Sequence, residues 1–283
     1  MSSRASTAST TTSRGSSASS TDPPGTITLF SPSKINLFLR ILRKREDNYH
    51  DLASLFQAIS LGDTLTMSLS STPSFTCNMA GVPLDSSNLV LRAISLVLSR
   101  TGHGPLPLSV DLFKRCPAQA GLGGGSANAA TAMWGVNELL GRPAPLEDLV
   151  EWSGELGSDV TFFLSGGTAY CTGRGEVMEP LPSLEGADDV KVRVVKVGEG
   201  LSTPKVFGAL DYGGMSKRDP EELLREFTSQ PLTSVPPTSY VNDLQAPAFS
   251  LLPRLSALRR RLEECGFDAV MMSGSGTSVF ALR

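Results

Sequence analysis

Apolar and polar residues alternate with a period of two along the segment TITLFSPSKINLFLRIL. Such alternation is typical of β-strands, and Pro32 indicates a turn between a first and a second strand. The apolar positions of the second strand are Ile35, Leu37, Leu39 and Ile41. They predict one face on the core, so that Lys34 and Asn36 project together from the other face and can reach a common ligand.

The patterns that follow predict both strands and helices. The polar RKREDN indicates a hairpin tip, and residues 88–102 have the spacing of an amphipathic helix that ends at Gly102. LPLSVDLFKRCP predicts a strand that leads into a glycine loop and then a helix, with Ser126 as its N-cap and Gly141 as its stop signal. Residues 146–156 predict another helix, and GSDVTFFLSGGTAYCTGRGEV predicts a short helix, a turn and a strand.

Prolines and a glycine make residues 181–189 loop-like, and a new strand pattern, VKVRVVKV, begins after them. We therefore predict an α+β fold of two domains, residues 26–185 and 186–283. Residues 1–25 are of another kind, because they are rich in Ser, Thr and Ala and contain no acidic residue before Asp22. Such a segment cannot form a core, and it favours either a disordered tail or an organelle transit peptide.

Charge and composition narrow the function. The 283 residues are 40% hydrophobic, and their net charge of -3 is mixed along the chain. There is no basic stripe for nucleic acid, and no apolar run approaches the roughly 20 residues that span a membrane. The four cysteines and two histidines show no metal-ligand spacing. A small-molecule partner is therefore favoured over nucleic acid or a membrane.

The stretch AGLGGGSANAATAMW places three consecutive glycines before a predicted helix. Glycines there let the backbone approach phosphate oxygens, while N–H groups and the helix N-terminus supply positive potential. The sequence contains neither the P-loop pattern nor the G-x-G-x-x-G dinucleotide pattern. The residues by themselves are compatible with a phosphate-binding loop and with a flexible hinge.

The segment PAQAGLGGGSANAA resembles the phosphate-binding motif of the kinases grouped as galactokinase, homoserine kinase, mevalonate kinase and phosphomevalonate kinase, the GHMP kinases. Further segments resemble those of the family in the same order: SPSKINLFLRI, YHDLASLFQAISLGD, AGVPLDSSNLV, EWSGELGSDV, AYCTGRGEV, VNDLQAPAF and MSGSGTSVF. They are most similar to the plant and algal kinases of 4-diphosphocytidyl-2-C-methyl-D-erythritol. The resemblance implies an α+β fold with the active site between two domains, and a plastid location.

The resemblance also implies the reaction, in which ATP with Mg2+ phosphorylates the 2-hydroxyl of that cytidyl substrate in non-mevalonate isoprenoid synthesis. Asp159 of GSDV would be the catalytic base and Lys34 of SPSKIN its charged partner. A carboxylate beside an ammonium stays ionised and is a weak base. A weak base is sufficient here, because the rate of phosphoryl transfer depends mainly on positioning of the reactants and stabilisation of charge. Without the family context, the favoured interpretation of Asp159 is a helix-capping residue, and that of Lys34 is a solvated strand residue.

On the ATP side, the resemblance assigns the phosphates to the glycine loop and adenine to Asn88 and Lys114. The loop residues are Gly121, Leu122, Gly123, Gly124, Gly125 and Ser126. A helix N-cap is the alternative for Asn88, and a surface charge for Lys114. In MSGSGTSVF, the third motif, Gly274 and Gly276 would allow close approach to the active site. No carboxylate cluster indicates a magnesium site, and we expect ATP itself to hold most of the ion.

On the substrate side, the resemblance implies that Tyr49 and Phe207 hold the cytosine ring between them, with His50 at its polar edge. Stacking combined with edge hydrogen bonds is an effective way to select a base. Asn36 and Thr203 would hold the sugar alcohol or the diphosphate. The alternative for Tyr49 is an ordinary core aromatic residue.

The sequence departs from the family pattern at three places. Gln119 stands where the family has glycine, and this larger residue predicts a tilted glycine loop. Ala127 stands where a second serine is usual, and the missing hydroxyl predicts the loss of a magnesium or phosphate contact. Family members continue with a helix and a strand after the third motif, whereas this sequence stops at Arg283. The resemblance therefore implies that part of the second domain is missing.

Two rival functions remain, and the departures favour the second of them. One is a related kinase of the superfamily that acts on another alcohol, against which the Tyr49–His50 pair and the triple glycine argue. The other is a catalytically silent nucleotide sensor, against which the presence of both Lys34 and Asp159 argues.

Overall fold

The computed structural model describes residues 25–283, so the transit-peptide or disordered-tail interpretation of the N-terminal segment falls outside the described residues. The strands are β1 (Thr26–Lys44), β2 (His50–Leu69), β3 (Ser74–Cys77), β4 (Leu108–Phe113), β5 (Thr168–Thr172), β6 (Val177–Pro180), β7 (Val192–Lys196), β8 (Ala269–Met272) and β9 (Ser278–Leu282). The helices are α1 (Leu89–Arg100), α2 (Gly124–Leu139), α3 (Leu146–Ser153), α4 (Ser158–Phe162), α5 (Thr203–Gly208), α6 (Pro220–Thr228), α7 (Gln245–Leu251) and α8 (Arg254–Glu264).

The first six strands form one mixed sheet around the long antiparallel hairpin of β1 and β2. The C-terminal half of β2 also pairs with β4, and its N-terminal half pairs with β5. β3 joins β4 in parallel, and β6 joins β5. The hairpin tip lies between β1 and β2, which confirms the interpretation of RKREDN.

The turn predicted at Pro32 is wrong, because β1 runs through this residue without a break. The ladder shifts register there: Pro32 lies opposite Gly62, whereas Ser33 lies opposite Ile59. Proline has no N–H to donate to the ladder, so it is tolerated in a strand where a bulge interrupts the pairing. The two strands predicted from the sequence are therefore one strand with a bulge.

The prediction that only one face of β1 is in the core is also wrong. Ile35 and Leu37 are buried as expected, but so are Lys34 and Phe38 on the opposite positions. Phe38 packs against Phe227 of α6, with ring centroids 6.0 Å apart. The C-terminal part of the chain thus covers the face that was expected to be solvated, and β1 lies between two layers.

A second, antiparallel sheet in the order β7-β9-β8 begins after the loop that follows β6. The change of sheet occurs between Pro180 and Val192, which is the region where the sequence patterns change. The mixture of helices and strands agrees with the predicted α+β class. No helix among residues 25–283 is both long enough and apolar enough to cross a bilayer.

A buried ion pair connects β1 to the segment before α7. Arg40 Nε lies 2.9 Å from Asp243 Oδ2, and the two side chains are 7% and 2% exposed. Asp243 also accepts the backbone N–H groups of Ile41 (2.8 Å) and Ser216 (2.9 Å). One carboxylate therefore joins three segments that are far apart in the sequence.

Replacing Asp243 with alanine is expected to lower the free energy of unfolding by about 3–5 kcal/mol, because Arg40 is left as an uncompensated buried charge. Urea unfolding should show a lower midpoint with an unchanged slope. Arg254→Ala is the matched control, since it removes an exposed ion pair with Glu199 and should change stability little. Equal effects of both substitutions would contradict this account.

Candidate active site

The glycine loop opens a helix whose N-terminal N–H groups have no side-chain cap. α2 begins at Gly124, and its N-cap is Gly123 in the left-handed region with φ 67°. The prediction of Ser126 as the N-cap is therefore wrong, since Ser126 already lies inside the helix. Among residues 25–283, no side chain accepts from the first N–H groups of α2. A helix N-terminus of this kind is suited to bind an anion.

Gly121 holds the loop close to the third glycine motif. It has φ 72°, and a Cβ atom on it would lie 2.2 Å from the carbonyl oxygen of Ser273. The Ser273 hydroxyl in turn donates to the carbonyl of Gly121 at 2.9 Å, and Ser278 N–H donates to the carbonyl of Ala120 at 3.3 Å. The two motifs are therefore in direct backbone contact, and only glycine fits at position 121.

We expect Gly121→Ala to raise the KM for ATP by at least about 10-fold, because the methyl group displaces the loop and the left-handed backbone costs about 1–2 kcal/mol. Steady-state kinetics with varied ATP measures the change. Gly104→Ala is the control, because Gly104 lies in an exposed loop with open space around the added Cβ. An unchanged KM in Gly121→Ala would show that the loop does not contact the nucleotide.

A cavity of about 440 Å³ lies in front of the loop and is lined by residues 121–126 together with Asn88 and Lys114. Asn88 is the N-cap of α1, with its Oδ1 2.9 Å from the backbone N of Val90. Leu122 is buried, so the loop offers its backbone rather than this side chain. All eight residues predicted on the ATP side therefore lie around one cavity.

Lys114 takes part in a buried network of hydrogen bonds that the sequence did not indicate. Its Nζ lies 2.5 Å from Asp63 Oδ2 and 2.9 Å from Asn128 Oδ1. Asp63 also accepts the backbone N–H groups of Arg115 and Cys116, each at 2.7 Å. Asn128 Nδ2, after the loop, also donates to Asp63 Oδ2 at 2.9 Å, so the carboxylate holds the chain on both sides of the glycine loop. Asp63 lies 51 positions from Lys114 in the sequence, so no local sequence pattern could predict that the two side chains pair.

Lys34 and Asp159 meet in a second cavity, of about 600 Å³. Lys34 Nζ lies 3.9 Å from Asp159 Oδ2, and it lies 4.2 Å from the ring centroid of Phe56. The lysine side chain is 6% exposed and the aspartate 41%. The arrangement combines a fixed ammonium with an accessible carboxylate, which can accept a proton from a bound alcohol while positive charge stands nearby.

Asn36 lies behind Lys34 and does not line this cavity. Its Oδ1 accepts from Lys34 Nζ at 2.9 Å, and its Nδ2 donates to Ser54 Oγ at 2.8 Å. The expected common face of Lys34 and Asn36 is thus confirmed, but Asn36 is 1% exposed. In this geometry, Asn36 orients the lysine rather than presenting itself to a ligand.

Gly274 and Gly276 line the same second cavity, as expected of the third motif. Asn242 fixes this turn, because its Nδ2 donates to the carbonyls of Met272 (2.7 Å) and Gly274 (2.8 Å). Gln119 lines both the first and the second cavity.

Gln119 has φ 51°, a left-handed conformation that favours glycine. The expected tilt of the loop stays a prediction. Ala127 is fully buried and lines neither of the two cavities, so its missing hydroxyl would not have faced them.

A third cavity, of about 710 Å³, contains the residues predicted to bind the base and includes Tyr49, His50, Phe207 and Thr203 in its lining. The rings of His50 and Phe207 lie 5.0 Å apart. Tyr49 is exposed, which argues against a core role, and the guanidinium of Arg174 lies 5.0 Å from its ring centroid. Burial, with a further contribution from Lys44, lowers the pKa of His50.

Comparison with known proteins places this geometry in a family. Residues 88–167 match the model of the GHMP kinases N terminal domain, and residues 216–282 match that of the GHMP kinases C terminal. The 4-diphosphocytidyl-2-C-methyl-D-erythritol kinase of Protochlamydia amoebophila is 46% identical over 256 residues, which are 90% of this chain and 84% of that kinase.

The chain belongs to the GHMP kinases.

A second relative within the GHMP kinases carries the same name. The chloroplastic 4-diphosphocytidyl-2-C-methyl-D-erythritol kinase of Oryza sativa subsp. japonica is 46% identical over 266 residues. That alignment covers 90% of this chain but 64% of the rice kinase, so the chain spans less than two thirds of the rice protein's length.

Solved structures confirm the GHMP kinase fold. A crystal structure of 4-(cytidine 5'-diphospho)-2C-methyl-D-erythritol kinase has a TM-score of 0.75 and 34% identity, and 90% of each chain is covered. Homoserine kinase from Cytophaga hutchinsonii has a TM-score of 0.70 at 18% identity, with 95% of this chain and 88% of that one covered, and it supports the fold alone. The predicted class and the two-domain organisation of this GHMP kinase are confirmed.

Proposed function

We propose that the protein transfers the γ-phosphoryl group of ATP to the 2-hydroxyl of 4-diphosphocytidyl-2-C-methyl-D-erythritol. The observation that carries this proposal is a row of three cavities with shared walls. Gln119 and Gly121 line both the first and the second, and Thr203 lines both the second and the third. A nucleotide and a long substrate can therefore occupy the two ends and meet beside Lys34 and Asp159.

In the proposed step, the substrate hydroxyl oxygen forms a bond to the γ-phosphorus, and the bond from that phosphorus to the β–γ bridging oxygen breaks. ADP leaves, and Asp159 accepts the hydroxyl proton. Lys34 stabilises the negative charge on the transferred group from its fixed position. Most of the acceleration comes from positioning and charge stabilisation in this class of reaction.

On the nucleotide side, we assign the phosphates to the N–H groups between Gly121 and Ser126, and adenine to the end of the first cavity near Asn88 and Lys114. Because Lys114 is bound to Asp63, we expect it to shape the cavity more than to donate to adenine. Mg2+ fits a site that supplies few protein ligands, since it usually keeps several waters and binds one or two carboxylates plus substrate phosphates.

Within residues 25–283, no group of three or more His, Cys, Asp and Glu side chains forms a metal cage. The Ser126 side chain lines the cavity that we assign to the phosphates, and its hydroxyl would be available to an ATP-bound ion. Bound there, Mg2+ would neutralise phosphate charge.

On the substrate side, we assign the cytosine ring to the third cavity, between Tyr49 and Phe207 and beside His50. Thr203 lies where the second and third cavities join, and its hydroxyl lies 2.8 Å from that of Ser275. This pair of hydroxyls suits the diphosphate that connects the base end to the reacting alcohol. Asn36 is then a support for Lys34 and not a direct substrate contact.

We also propose a plastid location. The Ser- and Thr-rich residues 1–25 have transit-peptide composition, and the rice and Arabidopsis thaliana relatives are named chloroplastic. The test is import of the full chain by isolated chloroplasts, compared with a chain that begins at Gly25. Equal import of the two chains would contradict the proposal.

The test of the activity is ADP release with 4-diphosphocytidyl-2-C-methyl-D-erythritol, compared with mevalonate and homoserine. Of the three alcohols, we expect only the cytidyl substrate to be turned over, and 31P NMR should show a new phosphomonoester on its 2-oxygen. Turnover with another alcohol would support the related-kinase alternative. Nucleotide binding without any turnover would support a silent sensor instead.

A further inference from the structure

We propose that Tyr212 is a positioning residue for base recognition, because its hydroxyl fixes the orientation and the proton position of His50. The inference rests on the proposed function, in which the cavity lined by both residues receives the cytosine ring. No sequence pattern marks Tyr212, which stands in the loop segment LDYGGMSKRDP after α5.

The contact connects the start of β2 to this loop across the two domains. His50 Nε2 lies 2.7 Å from the Tyr212 hydroxyl oxygen, although the residues are 162 positions apart. The two rings are nearly parallel at 20°, with centroids 6.1 Å apart, and the other neighbour of the imidazole is Phe207. His50 is a buried residue, and one side-chain hydrogen bond and two aromatic contacts hold its ring in place.

The loop is built to hold Tyr212 in place beside Phe207. The Asp211 carboxylate accepts the backbone N–H of Gly213 at 2.9 Å, and the Asp211 carbonyl accepts that of Gly214 at 3.1 Å. The N–H of Leu210 donates to the carbonyl of Phe207 at 3.3 Å, which ties the loop to the end of α5. The tyrosine and the phenylalanine that flank His50 thus belong to one local unit.

The hydrogen bond decides where the imidazole carries its proton. Burial and the nearby Lys44 lower the pKa of His50, so the ring is neutral at pH 7 and has one N–H. A phenol is the stronger acid of the two partners, so we assign Tyr212 as the donor to Nε2. The proton of His50 then resides on Nδ1.

Nδ1 is available to a ligand. Among the described residues, no group hydrogen-bonds to Nδ1. Nδ1 is not a fully buried atom either, because the sole fully buried side-chain atom without a partner in that part of the chain is Ser278 Oγ. Nδ1 is therefore open to the cavity that His50 lines. An N–H at this position can donate a hydrogen bond to the unprotonated N3 of cytosine. N3 of uracil carries a hydrogen, so it cannot accept this bond, and the two N–H groups would face each other.

The kinetic test uses Tyr212→Phe, which keeps the ring and removes the hydroxyl. We expect the KM for the cytidyl substrate to rise about 5- to 10-fold, the size of one lost hydrogen bond. The ratio of kcat/KM for the cytidyl substrate to that for its uridyl analogue should fall by a similar factor. kcat and the KM for ATP should stay within about 2-fold, since the hydroxyl does not touch the reacting atoms.

The matched control is Tyr170→Phe. The Tyr170 hydroxyl donates to Glu221 at 2.9 Å and also connects the two domains, but it lies outside the three cavities. This variant should leave the KM for the cytidyl substrate and the base preference unchanged. Equal changes in both variants would mean that loosening of the domains, and not the contact with His50, is responsible.

Histidine NMR gives a readout that a purely structural role would not move. The chain has only two histidines, His50 and His103, so long-range 1H–15N spectra of 15N-labelled protein without substrate contain two imidazole patterns. We expect His50 to be protonated on Nδ1 in the wild type and to shift toward the Nε2-protonated form in Tyr212→Phe. His103, whose Nδ1 lies 2.9 Å from the Thr101 hydroxyl, should not change.

Two results would overturn the inference: an unchanged tautomer of His50 in Tyr212→Phe, or a changed tautomer with an unchanged KM and base preference. Failure of the proposed function would look different. The wild type would then not phosphorylate the cytidyl substrate, whereas the NMR comparison would still decide whether Tyr212 sets the proton position of His50.

Discussion

Replacing Asp159 with asparagine is expected to lower kcat by about 10²- to 10⁴-fold, the usual contribution of a positioned general base. Asparagine keeps the shape of the side chain but cannot accept the hydroxyl proton. The aspartate is 41% exposed and lies in the first turn of the short helix α4, so the fold should be retained. Steady-state kinetics and the dissociation constant for ATP measure the two effects separately.

The control for this substitution is Asp188→Asn, which changes an exposed aspartate outside the cavities. It should have wild-type kinetics. Nucleotide binding to Asp159→Asn should remain near the wild-type value, because the carboxylate does not line the nucleotide cavity. A loss of ATP binding together with a loss of stability would mean that Asp159 is a structural residue.

Replacing Lys34 with methionine is expected to lower kcat by about 10²- to 10³-fold, as when one preorganised donor is removed from a charge-stabilising site. Methionine is unbranched and fills the space of the lysine stem, so the packing beside Phe56 is largely kept. The lost group is the ammonium, which lies 3.9 Å from Asp159 and 2.9 Å from the side-chain oxygen of Asn36. Kinetics at saturating ATP gives the effect on the chemical step.

A matched control exists for this substitution too. Lys191 is exposed, and Lys191→Met removes a positive charge without touching the site. It should leave kcat and the midpoint of urea unfolding unchanged. If Lys34→Met lost stability but kept its kcat, the lysine would be a support of β1 and not part of the chemistry.

The sequence predicted the local parts of the site well. A glycine run followed by a small-residue helix gives the same backbone requirement wherever it occurs, so the loop and α2 could be expected from residues 120–140 alone. The period of two placed Lys34 and Asn36 on one face, and the hydrogen bond between them confirms it. The hairpin after β1 followed from a polar segment between two apolar ones.

The parts that were wrong depend on neighbours distant in the sequence. A proline normally indicates a turn, but the bulge opposite Gly62 lets β1 pass through Pro32. Ser126 has the right side chain for an N-cap, but the left-handed Gly123 begins the helix one turn earlier. The polar face of β1 became buried because α6 packs over it through Phe227.

By itself, the sequence determined the elements whose pattern is set within about ten residues, such as amphipathic periodicity and glycine positions. The order of its motifs further indicated the family, which the comparisons confirmed. Only the tertiary structure determined which side chains pair with each other: Asp63 with Lys114 beside the glycine loop, Asp243 with Arg40 of β1, and Tyr212 with His50. These contacts join residues 51 to 203 positions apart. A hydrogen bond or an ion pair depends on distance in space, and folding alone creates that proximity.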